Sequence, residues 1–317
     1  MPRISSLAFA SIALAVLAGL SSAASAGPDL LPPFVGTEVA QDDLLEVIAT
    51  APSRSFKPVG HTSVVLRMRT VARVTAAMKV RSDSLEHGYQ HEIAAYRIAR
   101  LLGLDNVPPA VYRRVAWEEI RPRFHDEKLH LRAATKRAVS WDEDGTAPGA
   151  AIYWVKGLRS IGLEDSTKWA GWLRDGDVPE GKAALARDLS AMVVFDFLIG
   201  NWDRFSGGNL PSDASRRRAY LRDNDRAFST PLLPRRYVAL LDGLVGVERF
   251  SKGLVKRLVA LDREAIATEL AADPSHDAEP LLRDAQIADV LDRRATILSY
   301  IAALVEERGA DQVLIFP

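Results

Sequence analysis

The chain has no cysteine among its 317 residues. That excludes disulfides, thiolate metal sites and a cysteine nucleophile, so stability must come from packing. Excess charge of either sign is also missing, with 41 basic residues set against 41 acidic ones. A neutral balance argues against bulk nucleic-acid binding, which relies on a basic surface. Beyond the first 26 residues no apolar run is long enough to span a bilayer. No Walker-type or Rossmann-type glycine loop, no Gly-x-Ser-x-Gly elbow and no His-Glu-x-x-His frame occurs. The histidines show no ligand spacing. His87 and His91 stand four apart without a metal-site frame, which places them at the surface. No internal repeat is visible.

What is present begins with an export signal over residues 1–26. Arg3 supplies the positive start, Leu7 to Leu20 is nearly all apolar, and Ala24-Ser25-Ala26 offers a small-residue cleavage site. The apolar run falls short of the ~20 residues a membrane span needs, so cleavage is expected, with no stable span afterwards and a periplasmic or extracellular destination. Residues 27–57, Pro-rich and then acidic, read as an extended leader. From Pro58 to Arg81 the pattern predicts short strands: Val64-Val65-Leu66, then Val71 and Val74, then Ala77 to Val80. The faint phosphate-loop candidate Val59-Gly60-His61-Thr62-Ser63 precedes them. Apolar spacing predicts a helix over 90–104, and Pro108-Pro109 leads into a strand at Ala110-Val111-Tyr112. Residues 116–150 read as a solvated insertion with an acidic turn at Trp141 to Gly145. Ala150 to Val155 is then a strand bridging two halves. Beyond it helices are expected over 182–199, 250–270 and 287–307. The fold class that follows is α+β, with a β-rich N-terminal half and a helical C-terminal half.

The chemistry concentrates in two acidic clusters. Phe195-Asp196-Phe197-Leu198-Ile199-Gly200-Asn201-Trp202-Asp203-Arg204 carries an apolar helix to a Gly-Asn stop, and Leu221-Arg222-Asp223-Asn224-Asp225-Arg226 returns 20 residues later. A helix that apolar must be buried, so Asp203 emerges from the core at a fixed place. Asn209, after the loop Phe205-Ser206-Gly207-Gly208, has an amide oxygen able to ligate a hard cation, and Asp223 is a candidate metal carboxylate. Such a pair suits phosphoryl transfer, where one carboxylate orients the attacking hydroxyl and another holds a metal on the nucleotide phosphates. The alternative makes both clusters turn residues with local ion pairs. Upstream, Lys79 ends a strand-like run and Glu92 lies 13 residues later near a helix start. They form either a strand–helix ion pair that holds the lysine on phosphates, or a surface lysine and a helix-dipole charge.

Three blocks in order, Glu92 to Tyr96 with Leu101 to Pro109, Asp196 to Arg204, and Asp223 to Phe228, resemble the secreted kinases of the Golgi casein kinase and four-jointed group. More distantly, the Gly-Asn-x-Asp-Arg loop is similar to that of HipA-type and phosphatidylinositol kinases. The resemblance implies a two-lobed protein-kinase-like fold, with a small N-lobe over 58–155 and a helical C-lobe over 156–317. It makes Lys79 the phosphate-contacting lysine, Glu92 its helix partner, Asp203 the catalytic aspartate and Asp223 the metal ligand, joined by Asn209. It implies ATP, Mg²⁺ or Mn²⁺, and a hydroxyl acceptor such as Ser/Thr of an exported protein. A pseudokinase binding module and a kinase for glycan or lipid hydroxyls are the alternatives. The chain departs from the family pattern at Phe205, where His is usual, at Asn209, one place late, and at Asp225, where Gly is usual. The usual disulfides are absent.

Overall fold

The structure is a computed structural model that describes residues 33–59, 63–206, 208–276 and 278–317. The expected export signal lies outside the described residues, as do Gly60 to Thr62 of the phosphate-loop candidate. Among the described residues no helix is long and apolar enough to cross a membrane.

Helix α1 spans Gln41–Thr50 and strand β1 spans Ser53–Pro58, which corrects the reading of 27–57 as an extended leader. Leu44, Leu45 and Ile48 share one buried face of α1, and the helix packs on the sheet. Arg113 closes its C-terminal end by donating from Nη1 to the carbonyls of Ile48 and Ala51 at 3.1 and 2.9 Å. β2 (Val65–Thr70) and β3 (Thr75–Val80) follow, and the positions of Val71 and Val74 form their connecting turn rather than a strand. Arg73 holds that turn with φ 63°. Helix α2 is Gly88–Leu101; β4 is Ala110–Ala116 and β5 is Thr146–Tyr153. The strands form one antiparallel sheet in the order β1-β2-β3-β5-β4. Lys79 on β3 pairs with Val65 of β2 on one side and Ala150 of β5 on the other.

The rest is largely helical. α3 (Ala183–Ile199) is buried along nearly its whole length from Leu185 onward. Gly200 ends it with φ 68°, a left-handed conformation that glycine adopts without steric cost. α4 (Pro234–Val245) went unexpected; Tyr237, Leu240, Leu241 and Leu244 give it a helical apolar stripe. The segment expected as one helix over 250–270 is two, α5 (Lys252–Ala260) and α6 (Arg263–Ala271). They break where Asp262 turns back to accept from the Ala265 N–H at 2.8 Å, an N-cap that starts a new helix. α7 (Asp284–Arg308) closes the fold. One continuous apolar core runs from the sheet through α2 and α3 into α7.

α2 is held from both halves. It packs on β3, β4 and β5, and its polar side chains reach the helical half. Arg97 lies 3.4 Å from both Glu269 and Asp273, Arg100 reaches Glu269 at 3.0 Å, Gln90 donates to the Pro280 carbonyl at 3.1 Å, and Tyr89 bonds Glu279.

Gly149 fixes the close approach of β5 to β3 beside the lysine. A Cβ there would lie 2.6 Å from the Lys79 carbonyl oxygen and 2.6 Å from Met78 Cε. Gly149→Val should therefore destabilise the protein by about 1–3 kcal/mol, read from urea unfolding. A wild-type midpoint would contradict this packing.

Candidate active site

Lys79 is where the sheet meets the helical half. Its Nζ donates to Glu92 Oε1 at 2.6 Å, Asp223 Oδ1 at 2.5 Å and Asp225 Oδ2 at 2.7 Å. Glu92 comes from the first turns of α2 and the two aspartates from the loop after Leu221. The three carboxylates each present an oxygen within 4.8 Å of the others. Lys79, Glu92 and Asp225 are buried, while the Asp223 side chain is 41% exposed and marks the open side.

The charges do not balance. One ammonium faces three carboxylates, leaving −2 when all are ionised (+1 − 3 = −2). Burial alone would lower the Lys79 pKa, but Glu92, Asp223 and Asp225 together hold it well above the ordinary lysine range. Burial, with the two neighbouring aspartates against the pull of Lys79, pushes Glu92 up to about 7. Asp225 is likewise raised, by burial first and by Asp223. For Asp223 burial acts upward, yet the Lys79 ammonium outweighs it and the carboxyl lies below its usual value. A buried site with this surplus of negative charge and hard oxygen donors suits a divalent cation. Asp223 also has φ 62°, a left-handed backbone in a residue other than glycine. The surrounding structure must impose that conformation.

Asp203 stands on the adjoining loop and is half-buried. Gly200 directs the chain out of α3, and the Asn201 side chain accepts from the Asp203 N–H at 3.2 Å. Asn209 donates from Nδ2 to the Asp203 carbonyl at 3.1 Å, and its amide lies 3.5 Å from Asp203 Oδ2. The structure thus joins Lys79, Glu92 and Asp223 directly, and sets Asp203 and Asn209 together on the loop beside them.

Arg204 connects the two loops. Its Nε and Nη2 grip Asp196 of α3 at 2.9 and 2.8 Å, and Nη1 donates to the carbonyls of Asn209 at 3.1 Å and Arg222 at 2.5 Å. Nη2 also donates to Asn224 Oδ1 at 2.6 Å. All five guanidinium hydrogens are used. Asn201 reaches Asn224 Oδ1 from its own side at 3.2 Å. Arg204 and Asp196 are almost fully buried, and burial raises the Asp196 pKa against the pull of the guanidinium.

Sequence reasoning missed three residues. Arg204 was given no role of its own, although a carboxylate inside the apolar run 192–199 of α3 demands a buried cation nearby. Asp225 stood as a departure from a glycine position, with no role. His91, expected at the surface, packs on the Phe228 ring at 5.7 Å, and its Nδ1 lies 3.1 Å from the Asp225 carbonyl oxygen. Burial lowers its pKa to about 4. The trace of this in the sequence is its place one residue before Glu92.

The five-stranded sheet with α2 and the helical half beyond it define a two-lobed, kinase-like α+β fold. Solved structures sharing it are the Golgi casein kinase with Mn/ADP bound and hydra Fam20 with sugar. The first superposes with a TM-score of 0.67 at 19% identity, covering 90% of this chain and 80% of that one. The second gives 0.65 at 19% identity, covering 89% and 94%. Among curated proteins, a human glycosaminoglycan xylosylkinase is 28% identical over 129 residues, which is 40% of this chain and 31% of that protein. The match spans less than a third of the xylosylkinase. No family model matches the chain.

Arg204→Leu should cost about 3–5 kcal/mol in urea unfolding, because it strands the buried Asp196 carboxylate. Asp196→Leu combined with Arg204→Leu should recover part of that loss. Additive losses in the double variant would show that the two side chains act independently.

Proposed function

We propose that the chain is a kinase that transfers the γ-phosphoryl group of ATP to a hydroxyl acceptor. The observation that carries this reading is the convergence of Lys79, Glu92, Asp223 and Asp225, drawn from three separate parts of the sequence, on one point. In this role Lys79 contacts the nucleotide phosphates. Glu92, Asp223 and Asp225 would hold Mg²⁺ or Mn²⁺, and Asn209 would add an amide on the Asp203 loop. The metal would neutralise charge on the phosphates. Asp203 receives the acceptor proton: the hydroxyl oxygen bonds to the γ-phosphorus, the bond to the β–γ bridging oxygen breaks, and ADP leaves with that electron pair. Most of the acceleration then comes from positioning and charge neutralisation.

The acceptor we favour is Ser/Thr of an exported protein, in line with the fold shared with the Golgi casein kinase and with the N-terminal export pattern from Arg3 to Ala26. A second reading, a glycan hydroxyl, is favoured by the 28% identity to a protein named as a xylosylkinase.

Purified protein with labelled ATP and Mn²⁺ or Mg²⁺ should label an acidic protein or a xylose-bearing glycan, and which of the two is labelled decides between the readings. Asp203→Ala should lower kcat by about 10²–10⁴-fold and leave the KM for ATP nearly unchanged. Asp223→Asn should weaken metal binding and shift labelling to higher metal concentrations. Equal labelling by wild type and Asp203→Ala would sink the catalytic assignment.

A further inference from the structure

His91 and Glu92 are consecutive on α2, yet both engage the loop that carries Asp223 and Asp225. Glu92 enters the acidic cluster by its side chain. His91 meets the same loop at its backbone, with Nδ1 3.1 Å from the Asp225 carbonyl oxygen. A carbonyl only accepts, so Nδ1 must carry the proton. The other ring nitrogen, Nε2, lies 3.4 Å from Gln286 Nε2 of α7.

The Gln286 amide has one possible orientation. Its oxygen accepts from the Arg283 N–H at 2.9 Å, and its nitrogen donates to the Phe228 carbonyl at 2.9 Å. The second hydrogen of that nitrogen is therefore left for His91 Nε2, which must offer a lone pair. Both ends of the ring thus require one species, the neutral imidazole protonated at Nδ1. Gly88 lets the start of α2 approach closely, since a Cβ there would lie 3.2 Å from Asp225 Cβ.

We propose that His91, with its tautomer set by Gln286, is a positioning residue that holds Asp225 in the metal-binding arrangement of the site. The inference rests on the kinase reading above and deepens it. Gln286 from α7 fixes the ring, the ring fixes the Asp225 carbonyl, and the Asp225 carboxylate is thereby held against Lys79 at 2.7 Å. Partners of this kind orient ligands without touching the metal, and their loss weakens binding.

The test is the affinity for Mn²⁺ with ADP present, read from the spin-resonance signal of free Mn²⁺, in the full chain. Asparagine places its amide near the position of the imidazole Nδ1, and glutamine near Nε2. His91→Gln should weaken Mn²⁺ binding by about tenfold or more, and His91→Asn should return to within about threefold of wild type. A merely structural role reverses that order, because asparagine leaves the larger void and should be the worse replacement. Gln286→Leu, which unpins the tautomer, should weaken Mn²⁺ binding in the same direction as His91→Gln. Circular dichroism establishes that each variant is folded.

Wild-type affinity in folded His91→Gln, or a weaker His91→Asn than His91→Gln, overturns the proposal and leaves the kinase reading intact. If His91→Gln does not fold, Gln286→Leu carries the test, and wild-type affinity there overturns it. Absence of saturable Mn²⁺ binding by wild type removes the kinase reading and this inference together.

Discussion

The site depends on a single buried guanidinium. Arg204 has five N–H groups and the fold uses all of them, on Asp196 of α3, on the backbone after the Asp203 loop, and on both sides of Asp223. Its energetic justification lies in that completeness. A buried cation is costly unless its partner and every donor are satisfied, and here none is left open. Because the donors fan out in one rigid plane, the loops at either end share a fixed distance. Asp203 and Asp223 are separated in sequence by 20 residues but anchored to the same planar group.

Around Lys79 the logic is reversed. Where Arg204 is saturated and balanced, the acidic cluster is left two charges short of neutrality by its own side chains (+1 − 3 = −2). Burial first, and the neighbouring carboxylates after it, raise the pKa values of Glu92 and Asp225 against the pull of Lys79. The two devices lie side by side. A balanced ion pair supplies rigidity, and the rigidity keeps the unbalanced carboxylates from relaxing apart.

Much of this was legible in the chain. The apolar run into Gly200 fixed both the burial of α3 and the exit of Asp203. The spacing of Lys79 and Glu92 fitted a strand followed by a helix, and they do meet, as one of two open readings had it. Other features depend on tertiary context that no local pattern encodes. Arg204 looks like any turn arginine until the partner of Asp196 is sought. The short amphipathic face of α1 was obscured by the proline-rich stretch before it, and Asp262 divides α5 from α6 although apolar spacing continues across it. His91 is invisible to motif reasoning because its partners are a backbone carbonyl and a glutamine 195 residues away.

The two-sided grip on α2 bears on how the molecule can move. Two-lobed folds commonly open by rotating one lobe as a body about a short hinge. Here the helix that closes the sheet's inner face is also tied to α6, to the segment before α7 and to α7 itself, through Arg97, Arg100, Tyr89, Gln90 and His91. Rigid rotation of the sheet with α2 would break all of these ties at once. β1 is tied down as well, since the His125 N–H donates to the Phe56 carbonyl at 2.8 Å and Lys57 pairs with Glu127 at 2.7 Å. α2 is thereby a clasp between the two halves, belonging to neither one alone.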